Sequence, residues 1–385
     1  MSNKHQPDIR AITRLVPRSG NLVQGQSELP IDPALARAAC EIITASENHY
    51  SPSEGDAQLR AAVAAKIAAF NGVRVDPDAT PMELLITPGG TGGVVAVAHT
   101  YLRGAAALVF EPYYPYHRRV IGDLGGHTEV FPLRGPSLEL DGDALKTHCR
   151  QLKDRSSFPL RAIIVCTPAN PTGKVFSQDE LEIIASICQE LDLLCLADEV
   201  YEHHVVGERK HISIASLPGM WERTITINSF SKSWNISGWR IGYTYGSGSL
   251  VAPLNNAINV LYVCTPTPLQ KALARVLMAD PGYYPRLRDQ FMARRRFAAH
   301  TLAEVGFQVY ESGSAFYLWA RIPDRFDDAM QLNQFLMERA GVAAVPGSAF
   351  ADGDEWRRYM RVCIAREDEI LYGALEKVRQ ALADA

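Results

Sequence analysis

Short apolar runs alternate with longer segments of helical spacing through the middle of the chain. Four runs are apolar almost throughout and predict strands that are buried on both faces: 106–110, 162–166, 193–197 and 224–227. Over 181–191 the apolar residues recur at helical spacing, and Ser177 with Glu180 forms a capping box that marks the start of this helix. Strand, helix and strand in succession predict a mainly parallel sheet with right-handed crossovers.

The pattern changes after about residue 280. A polar, arginine-rich helix is predicted over 284–305, an alternating segment covers 316–319, and a last helix covers 367 to about 382. We therefore expect an α/β fold. Its large domain, residues 46–283, has a mainly parallel sheet flanked by helices. A smaller α+β domain is formed by the N- and C-terminal segments, residues 1–45 and 284–385.

Composition and charge narrow the class of protein. The chain has 385 residues, 47% of them hydrophobic and 21% charged, which is ordinary for a globular protein of about two domains. A net charge of −4 gives no electrostatic reason to expect nucleic acid or an anionic membrane as a partner. The most apolar stretch, 94–110, is broken by His99 and Arg103, so no membrane span is predicted.

The N-terminus and the cysteines both favour a reducing compartment. The first residues are polar, without the apolar core or the small-residue cleavage site of a secretory signal. The seven cysteines are an odd number and scattered, which fits buried thiols better than disulfides or metal ligands. We therefore expect a cytoplasmic protein.

The strongest chemical signal is the segment 229–243, in which Lys232 follows a predicted buried strand. An aldehyde cofactor needs an amine that forms an imine, together with a group that neutralises its phosphate. Lysine suits the first role because its pKa falls when it is buried, and Arg240 suits the second because its planar fork grips phosphate oxygens. Ser229 and Ser231 add hydroxyl donors.

Polar side chains also follow two other predicted strands. Asp198 ends one strand, where open α/β sheets place ligand-binding groups, and its carboxylate can pair with a protonated pyridine nitrogen; capping of the next element is the alternative. Tyr201 can direct its hydroxyl to an oxygen substituent on the same pyridine ring. Asn170 lies in an Asn-Pro-Thr-Gly-Lys turn and can reach the same oxygen, although such a turn is commonly structural. A Walker phosphate loop is excluded because Val175 replaces the required hydroxyl residue.

Glycines cluster in 87–93, between the predicted strand 84–86 and a helical run. At such a turn backbone N–H groups can approach a phosphate at the helix N-terminus; an ordinary tight turn is the alternative. A later set of glycines, 242–248, looks superficially like a dinucleotide fingerprint but lacks a suitable following helix.

These four segments follow one another in the order found in the class I/II aminotransferases of the aspartate-aminotransferase fold type. The chain resembles this family from about residue 21 to 377. The resemblance implies a pyridoxal 5′-phosphate enzyme that transfers an amino group between an amino acid and a 2-oxo acid. It implies that Lys232 forms the internal aldimine and then acts as the base for a 1,3-proton shift. Asp198 would contact the pyridine nitrogen, while Asn170 and Tyr201 would contact the ring oxygen. The phosphate would be held by Gly90, Thr91, Ser229, Ser231 and Arg240.

Further matches concern the substrate and the neighbouring subunit. Tyr114 falls where the family stacks an aromatic ring on the cofactor, and Tyr50 matches a tyrosine that reaches the phosphate of the neighbouring subunit, which implies a homodimer with shared active sites. Arg361 matches the arginine that clamps the substrate carboxylate, with Asn170 and the backbone of Gly25 beside it.

The N-terminal glycine motif departs from the family pattern. In the family this motif usually continues through proline and aspartate, whereas 24–30 reads Gln-Gly-Gln-Ser-Glu-Leu-Pro. The departure leaves the identity of the substrate open. One hypothesis is that Glu28 favours a polar or cationic substrate.

Other functions remain as alternatives. Elimination, replacement or cyclisation of an amino acid needs the same lysine, aspartate and arginine, so the motifs do not separate these reactions from transamination. A non-catalytic ligand-binding module fused to a DNA-binding domain needs a basic helix-turn-helix ahead of residue 20, where only a short tail stands. His203, His204 and His211 match no common zinc spacing, so we expect surface or loop histidines and no metal.

Overall fold

The computed structural model describes residues 8–45, 47–207, 209–310 and 313–383. A seven-stranded sheet lies at the centre of this part of the chain. Its strands are β1 (Leu84–Thr87), β2 (Ala106–Glu111), β3 (His127–Pro132), β4 (Leu160–Cys166), β5 (Leu194–Asp198), β6 (Thr224–Ser229) and β7 (Gly242–Tyr245). The strand order is β1-β7-β6-β5-β4-β2-β3. Only β7 runs antiparallel to its neighbours within this sheet, which confirms the predicted mainly parallel sheet.

A smaller antiparallel sheet follows in the sequence. Its strands are β8 (Gln308–Val309), β9 (Tyr317–Arg321), β10 (Val345–Pro346) and β11 (Tyr359–Cys363), in the order β10-β11-β9-β8. The N-terminal segment joins this sheet, because Asn21 forms a bridge with Ala343 and the N–H of Cys363 donates to the Leu22 carbonyl at 2.9 Å. The division into domains at residues 46 and 284 stays a prediction.

Helices surround both sheets. They are α1 (Ile9–Thr13), α2 (Pro33–Thr44), α3 (Ala57–Asn71), α4 (Gly89–Tyr101), α5 (Pro115–Asp123), α6 (Gly142–Lys153), α7 (Gln178–Glu190), α8 (Phe230–Ser233), α9 (Gly248–Val251), α10 (Leu254–Tyr262), α11 (Thr267–Val276), α12 (Tyr283–Glu304), α13 (Ala329–Ala340) and α14 (Asp368–Ala383). The helices predicted over 181–191, 284–305 and 367–382 correspond to α7, α12 and α14. None of the described helices is long and apolar enough to cross a membrane.

Successive residues of the buried strands point to opposite faces of the large sheet, and helices cover both faces. Ile163 of β4 packs in a cluster with residues of α6 and α7, whereas the next residue, Ile164, packs in a cluster with residues of α4 and α10. Both faces are therefore covered, as the apolar runs predict. The predicted capping box is present at the start of α7, where Ser177 Oγ accepts from the Glu180 N–H at 3.2 Å and the Glu180 carboxylate accepts from the Ser177 N–H at 2.9 Å.

Candidate active site

Several strands end at one edge of the large sheet, and most of the predicted site residues lie there. Asp198 is the last residue of β5 and Ser229 the last of β6. Gly242 begins the antiparallel strand β7 and is paired with both Ser229 and Thr87, so it brings the ends of β6 and β1 together. Asn170 follows β4, which runs parallel to β5. The parallel topology thus collects residues that are far apart in the sequence.

An anion cradle lies where β1 leads into α4. Gly89 has φ +70°, and a Cβ at this position would lie 2.6 Å from Arg240 Nη2, so only glycine lets the guanidinium come this close. Arg240 Nη2 donates to the Pro88 carbonyl at 3.2 Å. A Cβ on Gly90 would lie 3.6 Å from Ser229 Cβ, and the next residue, Thr91, is exposed in the first turn of α4. Helix N–H groups and a guanidinium therefore converge on one spot, which suits a phosphate.

The two predicted hydroxyl donors lie beside this cradle. Ser229 Oγ and Ser231 Oγ are 2.9 Å apart, and Ser229 Oγ also accepts from the Ser231 N–H at 3.2 Å. Both side chains are buried, so the two hydroxyls are held in one arrangement.

Lys232 lies in α8, and its Nζ donates to the Gly25 carbonyl at 2.7 Å. Burial, together with the positive charges of Arg361 and Arg240, lowers the pKa of Lys232 to about 8, while Cys363 and Asp198 act in the opposite direction. Three predicted site residues are thus close enough to act on the charge of this one amine. With a pKa of about 8, roughly a tenth of the amine is uncharged at pH 7, far more than for an ordinary lysine, as a nucleophile or a base requires.

Asp198 is held by a residue that the sequence analysis did not identify. Asp198 Oδ2 and Nε2 of His117, a residue of α5, lie 2.8 Å apart, and both side chains are buried. The His117 ring also meets the ring of Tyr114 edge-on, with 5.2 Å between the centroids. A helical spacing of three residues from Tyr114 was the only signal in the sequence that could have suggested His117.

Tyr201 has a second tyrosine as its partner. The hydroxyl oxygens of Tyr201 and Tyr317 lie 2.8 Å apart. Burial raises the pKa of Tyr201 well above its ordinary value and that of Tyr317 to about 12, so both hydroxyls stay protonated at neutral pH. Burial also raises the pKa of Tyr114, on which Tyr317 and Asp198 both act electrostatically. Tyr317 is a further site residue that the sequence analysis missed.

Arg361 of β11 points into the same site. Its Nη1 donates to Asn170 Oδ1 at 2.8 Å and its Nη2 donates to the Val23 carbonyl at 2.6 Å. The guanidinium lies 4.4 Å from the ring centroid of Tyr317 and 4.9 Å from that of Phe350. Arg361 is buried, and no carboxylate of the described ranges forms an ion pair with it. A buried guanidinium without a carboxylate partner is suited to bind an anionic ligand.

Two further candidate residues, Tyr50 and Glu28, have surroundings other than those of the site residues above. Tyr50 is 83% exposed, so a single subunit does not bring it into this group of side chains. Glu28 Oε1 lies 2.9 Å from Arg366 Nη1, so its carboxylate is already paired within the protein. The structure therefore gives no support to the hypothesis that Glu28 selects a cationic substrate.

A buried ion network lies behind the site. Lys66 Nζ contacts the Glu202 carboxylate, which also accepts from Asn228, the neighbour of Ser229. Burial alone would raise the pKa of Glu202, but the charge of Lys66 lowers it to about 2. The network links the turn after β5 to the end of β6, since Glu202 lies in that turn and Asn228 belongs to β6.

The expectation of surface or loop histidines is wrong for His203 and His204, which are buried in a short 3-10 turn, whereas His211 lies in a loop and is half-buried. His211 Nε2 lies 3.0 Å from Glu199 Oε2, and these two residues form the group of potential metal ligands found in the described ranges, together with Glu202. Lys66 already supplies a cation to Glu202, so the group is explained as part of the ion network.

Comparison with known proteins identifies the family. Residues 19–378 match the family described as aminotransferase class I and II. The chain belongs to this family. It is accordingly a transferase that moves an amino group between an amino acid and a 2-oxo acid.

Individual relatives agree over nearly the whole length. A Mycobacterium tuberculosis protein named "Probable N-succinyldiaminopimelate aminotransferase DapC" is 35% identical over 371 residues, which cover 93% of this chain and 91% of that protein. Aromatic-amino-acid aminotransferase 2 of Thermococcus litoralis is 31% identical over 363 residues, covering 94% and 90%. The solved structure of N-succinyldiaminopimelate aminotransferase from Mycobacterium tuberculosis superposes with a TM-score of 0.90 at 35% identity, covering 97% of this chain and 96% of that one.

Proposed function

We propose that this aminotransferase works with pyridoxal 5′-phosphate bound between Lys232, Asp198 and Arg240. Three observations support the fit: the amine of Lys232 has a lowered pKa, the carboxylate of Asp198 is held by His117, and the lack of a side chain at Gly89 lets the Arg240 guanidinium approach the N-terminus of α4. The observation that carries the proposal is that three paired strands bring these residues to one edge of the sheet: Asp198 ends β5, Lys232 follows β6 and Arg240 precedes β7. An amine, an acid and an anion cradle are the three groups that the aldehyde, the pyridine nitrogen and the phosphate need.

When bound, the cofactor supplies an electron sink for the electron pair of the substrate Cα–H bond. Lys232 Nζ, which is largely uncharged above a pH of about 8, takes the proton from Cα. Asp198, held by His117, would accept a hydrogen bond from the protonated pyridine nitrogen. Tyr201, protonated at neutral pH, offers its hydroxyl as a hydrogen-bond donor.

We propose that Arg361 recognises the carboxylate that every amino acid carries. Its two Nη atoms now donate to Asn170 and to the Val23 carbonyl, and a carboxylate can accept from such a pair in a bidentate way. Gly25 and Asn170 complete this end of the site. The relatives are named for different amino acids, which is consistent with a shared carboxylate clamp and variable contacts to the rest of the substrate.

We also propose a homodimer in which Tyr50 reaches the phosphate in the neighbouring subunit. Tyr50 is 83% exposed, and an apolar segment at the end of α10 is exposed as well, with Val260 at 73%, Leu261 at 51% and Val263 at 49%. Exposed apolar residues of this kind are typical of a subunit interface. All seven cysteines are free thiols, which supports a cytoplasmic location. We further propose residues 46–283 as the large domain.

The reaction is tested by incubating the protein and the cofactor with a panel of amino acids and a 2-oxo acid acceptor. Transamination predicts that each accepted donor yields its 2-oxo acid and that the acceptor yields the matching amino acid, without release of ammonia. Release of ammonia in equal amount to the oxo acid would instead show elimination. Consumption of the amino acid without any oxo acid would indicate replacement or cyclisation.

A further inference from the structure

Residues 21–28 form a strap, called here the N-terminal strap, that lies along β11 and over the site. The N–H of Leu22 donates to the Ala343 carbonyl at 3.0 Å, and near the other end the N–H of Glu28 donates to the Ala365 carbonyl at 2.9 Å. At Gly25 a Cβ would lie 2.1 Å from the hydroxyl oxygen of Tyr317, so the strap rests directly on the tyrosine pair of the site.

Three consecutive carbonyl groups of the strap, those of residues 23–25, each accept a hydrogen bond from a basic side chain. The donors in order are Arg361 at 2.6 Å, Arg366 at 2.9 Å and Lys232 at 2.7 Å. Arg361 and Lys232 are the residues to which we assign the substrate carboxylate and the catalytic amine. The position of the strap is therefore coupled to the state of the site, and Arg366 is the donor that the reaction does not use.

Arg366 lies between β11 and α14, and its side chain is only 2% exposed. One guanidinium holds the strap at three places: Asn21 Oδ1 at 3.2 Å, the Gln24 carbonyl at 2.9 Å and Glu28 Oε1 at 2.9 Å. Its carboxylate partner, Glu28, is thus carried by the strap itself. Lifting the strap would leave a buried guanidinium without its counter-charge, which is costly.

We propose that Arg366 and Glu28 form a latch that keeps the N-terminal strap closed over the site before the amino acid binds. Arg366 is a positioning residue for the reaction, since it acts through the strap and does not contact the reacting atoms. The apparent affinity of a ligand that needs the closed strap is its intrinsic affinity multiplied by the closed fraction. The latch therefore sets the KM for the amino acid. This role rests on the proposed function of Lys232 and Arg361.

The chain offers a matched control in Arg18, which approaches the same carboxylate from outside. Arg18 Nε lies 3.7 Å from Glu28 Oε1, its Nη2 lies 2.8 Å from Glu367 Oε1, and its side chain is 63% exposed. Exposed pairs of this kind contribute little to stability. If the latch exists, Arg366→Gln and Glu28→Gln should change the exchange of the strap amides and the KM in the same direction. Arg18→Gln should behave as wild type in both measurements.

Hydrogen–deuterium exchange of the cofactor-free protein tests the latch without any catalysis. We expect the strap amides, such as those of Leu22 and Glu28, to exchange in Arg366→Gln and Glu28→Gln at close to the rate of unprotected amides, because a closed fraction that falls about tenfold leaves the strap open most of the time. The amides of the central sheet should remain protected. Strap exchange that equals wild type in both variants would overturn the latch, whatever the reaction proves to be.

Steady-state kinetics with the cofactor separates positioning from a general loss of structure. We expect Arg366→Gln to raise the KM for the amino acid about tenfold with kcat within about threefold, since saturating substrate closes the strap again. A fall in kcat at unchanged KM would overturn the proposal. If Arg366→Gln does not fold, Arg366→Lys is measured instead, since it keeps the charge but lacks the fork that spans several acceptors; a KM equal to wild type in that variant and in Glu28→Gln would contradict the latch.

Discussion

His117 Nε2 lies 2.8 Å from Asp198 Oδ2, and both side chains are buried at the carboxyl edge of the large sheet. The histidine fixes the direction in which the carboxylate points. It also ties Asp198 to α5, which Tyr114 precedes, so the acid at one end of the proposed cofactor site and the aromatic ring beside it are placed by one side chain.

Replacing His117 by phenylalanine removes this hydrogen bond and retains a ring of similar size. We expect kcat to fall about 10- to 100-fold, the equivalent of one charge-assisted hydrogen bond of ~1.5–3 kcal/mol. Cofactor should remain bound, since the anion cradle around Gly89 and Arg240 is unchanged. His99→Gln, on the exposed side of α4, is the control and should leave kcat unchanged. Equal kcat in His117→Phe and wild type would remove the assigned role.

The lowered pKa of Lys232 predicts how the stability of the cofactor-free protein depends on pH. In the folded state the pKa is about 8, whereas a lysine in an unfolded chain has a pKa of about 10.4. Between these values the unfolded state binds more protons than the folded state, so the contribution of Lys232 makes the free energy of unfolding rise with pH. Below a pH of about 8 both states are protonated and this slope vanishes.

Urea unfolding of wild type and Lys232→Met at a series of pH values measures this contribution. The advantage of the methionine variant over wild type should shrink as the pH rises from about 8 to about 10.4. Lys377→Met, which changes an exposed lysine of α14, should run parallel to wild type. A difference between Lys232→Met and wild type that stays constant or grows over this range would contradict the assigned pKa.

Gly89 and Gly104 provide a matched pair for the phosphate cradle. Both have a positive φ, +70° and +71°, so an alanine costs similar backbone strain at either position. A Cβ at Gly89 would press on Arg240, whereas a Cβ at Gly104 would meet nothing within 4 Å. We expect Gly89→Ala to weaken the binding of pyridoxal phosphate at least tenfold, and Gly104→Ala to bind it as wild type does. Titration of the cofactor-free proteins gives both dissociation constants, and equal values would argue against the cradle.

Arg361→Gln should mainly impair binding of the amino acid. Losing a bidentate, charge-assisted pair of about 3 kcal/mol predicts that kcat/KM falls about 100-fold. The cofactor spectrum should be retained. The neighbouring Arg358, which pairs with Asp324 at 3.0 Å and is partly exposed, gives the control Arg358→Gln, for which kcat/KM should be unchanged. A loss of cofactor from Arg361→Gln would mean that this arginine serves the cofactor and not the substrate.

Local signals predicted the elements of this fold well. The apolar runs predicted β2, β4, β5 and β6, and the Ser177 capping box predicted the start of α7, because each of these signals lies within a few neighbouring residues. The sequence signals around Lys232, Asp198 and Asn170 also lie within short segments. The parallel topology explains why these three residues meet at one edge of the sheet.

The missed residues act through contacts between distant parts of the chain. His117 and Asp198 are 81 residues apart, Tyr201 and Tyr317 are 116 apart, and Arg366 and Gln24 are 342 apart. No periodicity or spacing indicates such pairs, since the side-chain types alone are compatible with many partners. For the same reason no local signal indicates that His203 and His204 are buried by their packing against other elements.

The covalent attachment of the cofactor to Lys232 tests the account most directly. The protein is incubated with pyridoxal phosphate, reduced with borohydride and digested, and the labelled peptide is identified by mass spectrometry. We predict a yellow protein before reduction and a pyridoxyl group on the peptide that contains Lys232, with neither the colour nor this label in Lys232→Ala. A protein that stays colourless, or a stoichiometric label on another lysine such as Lys174, would contradict the account.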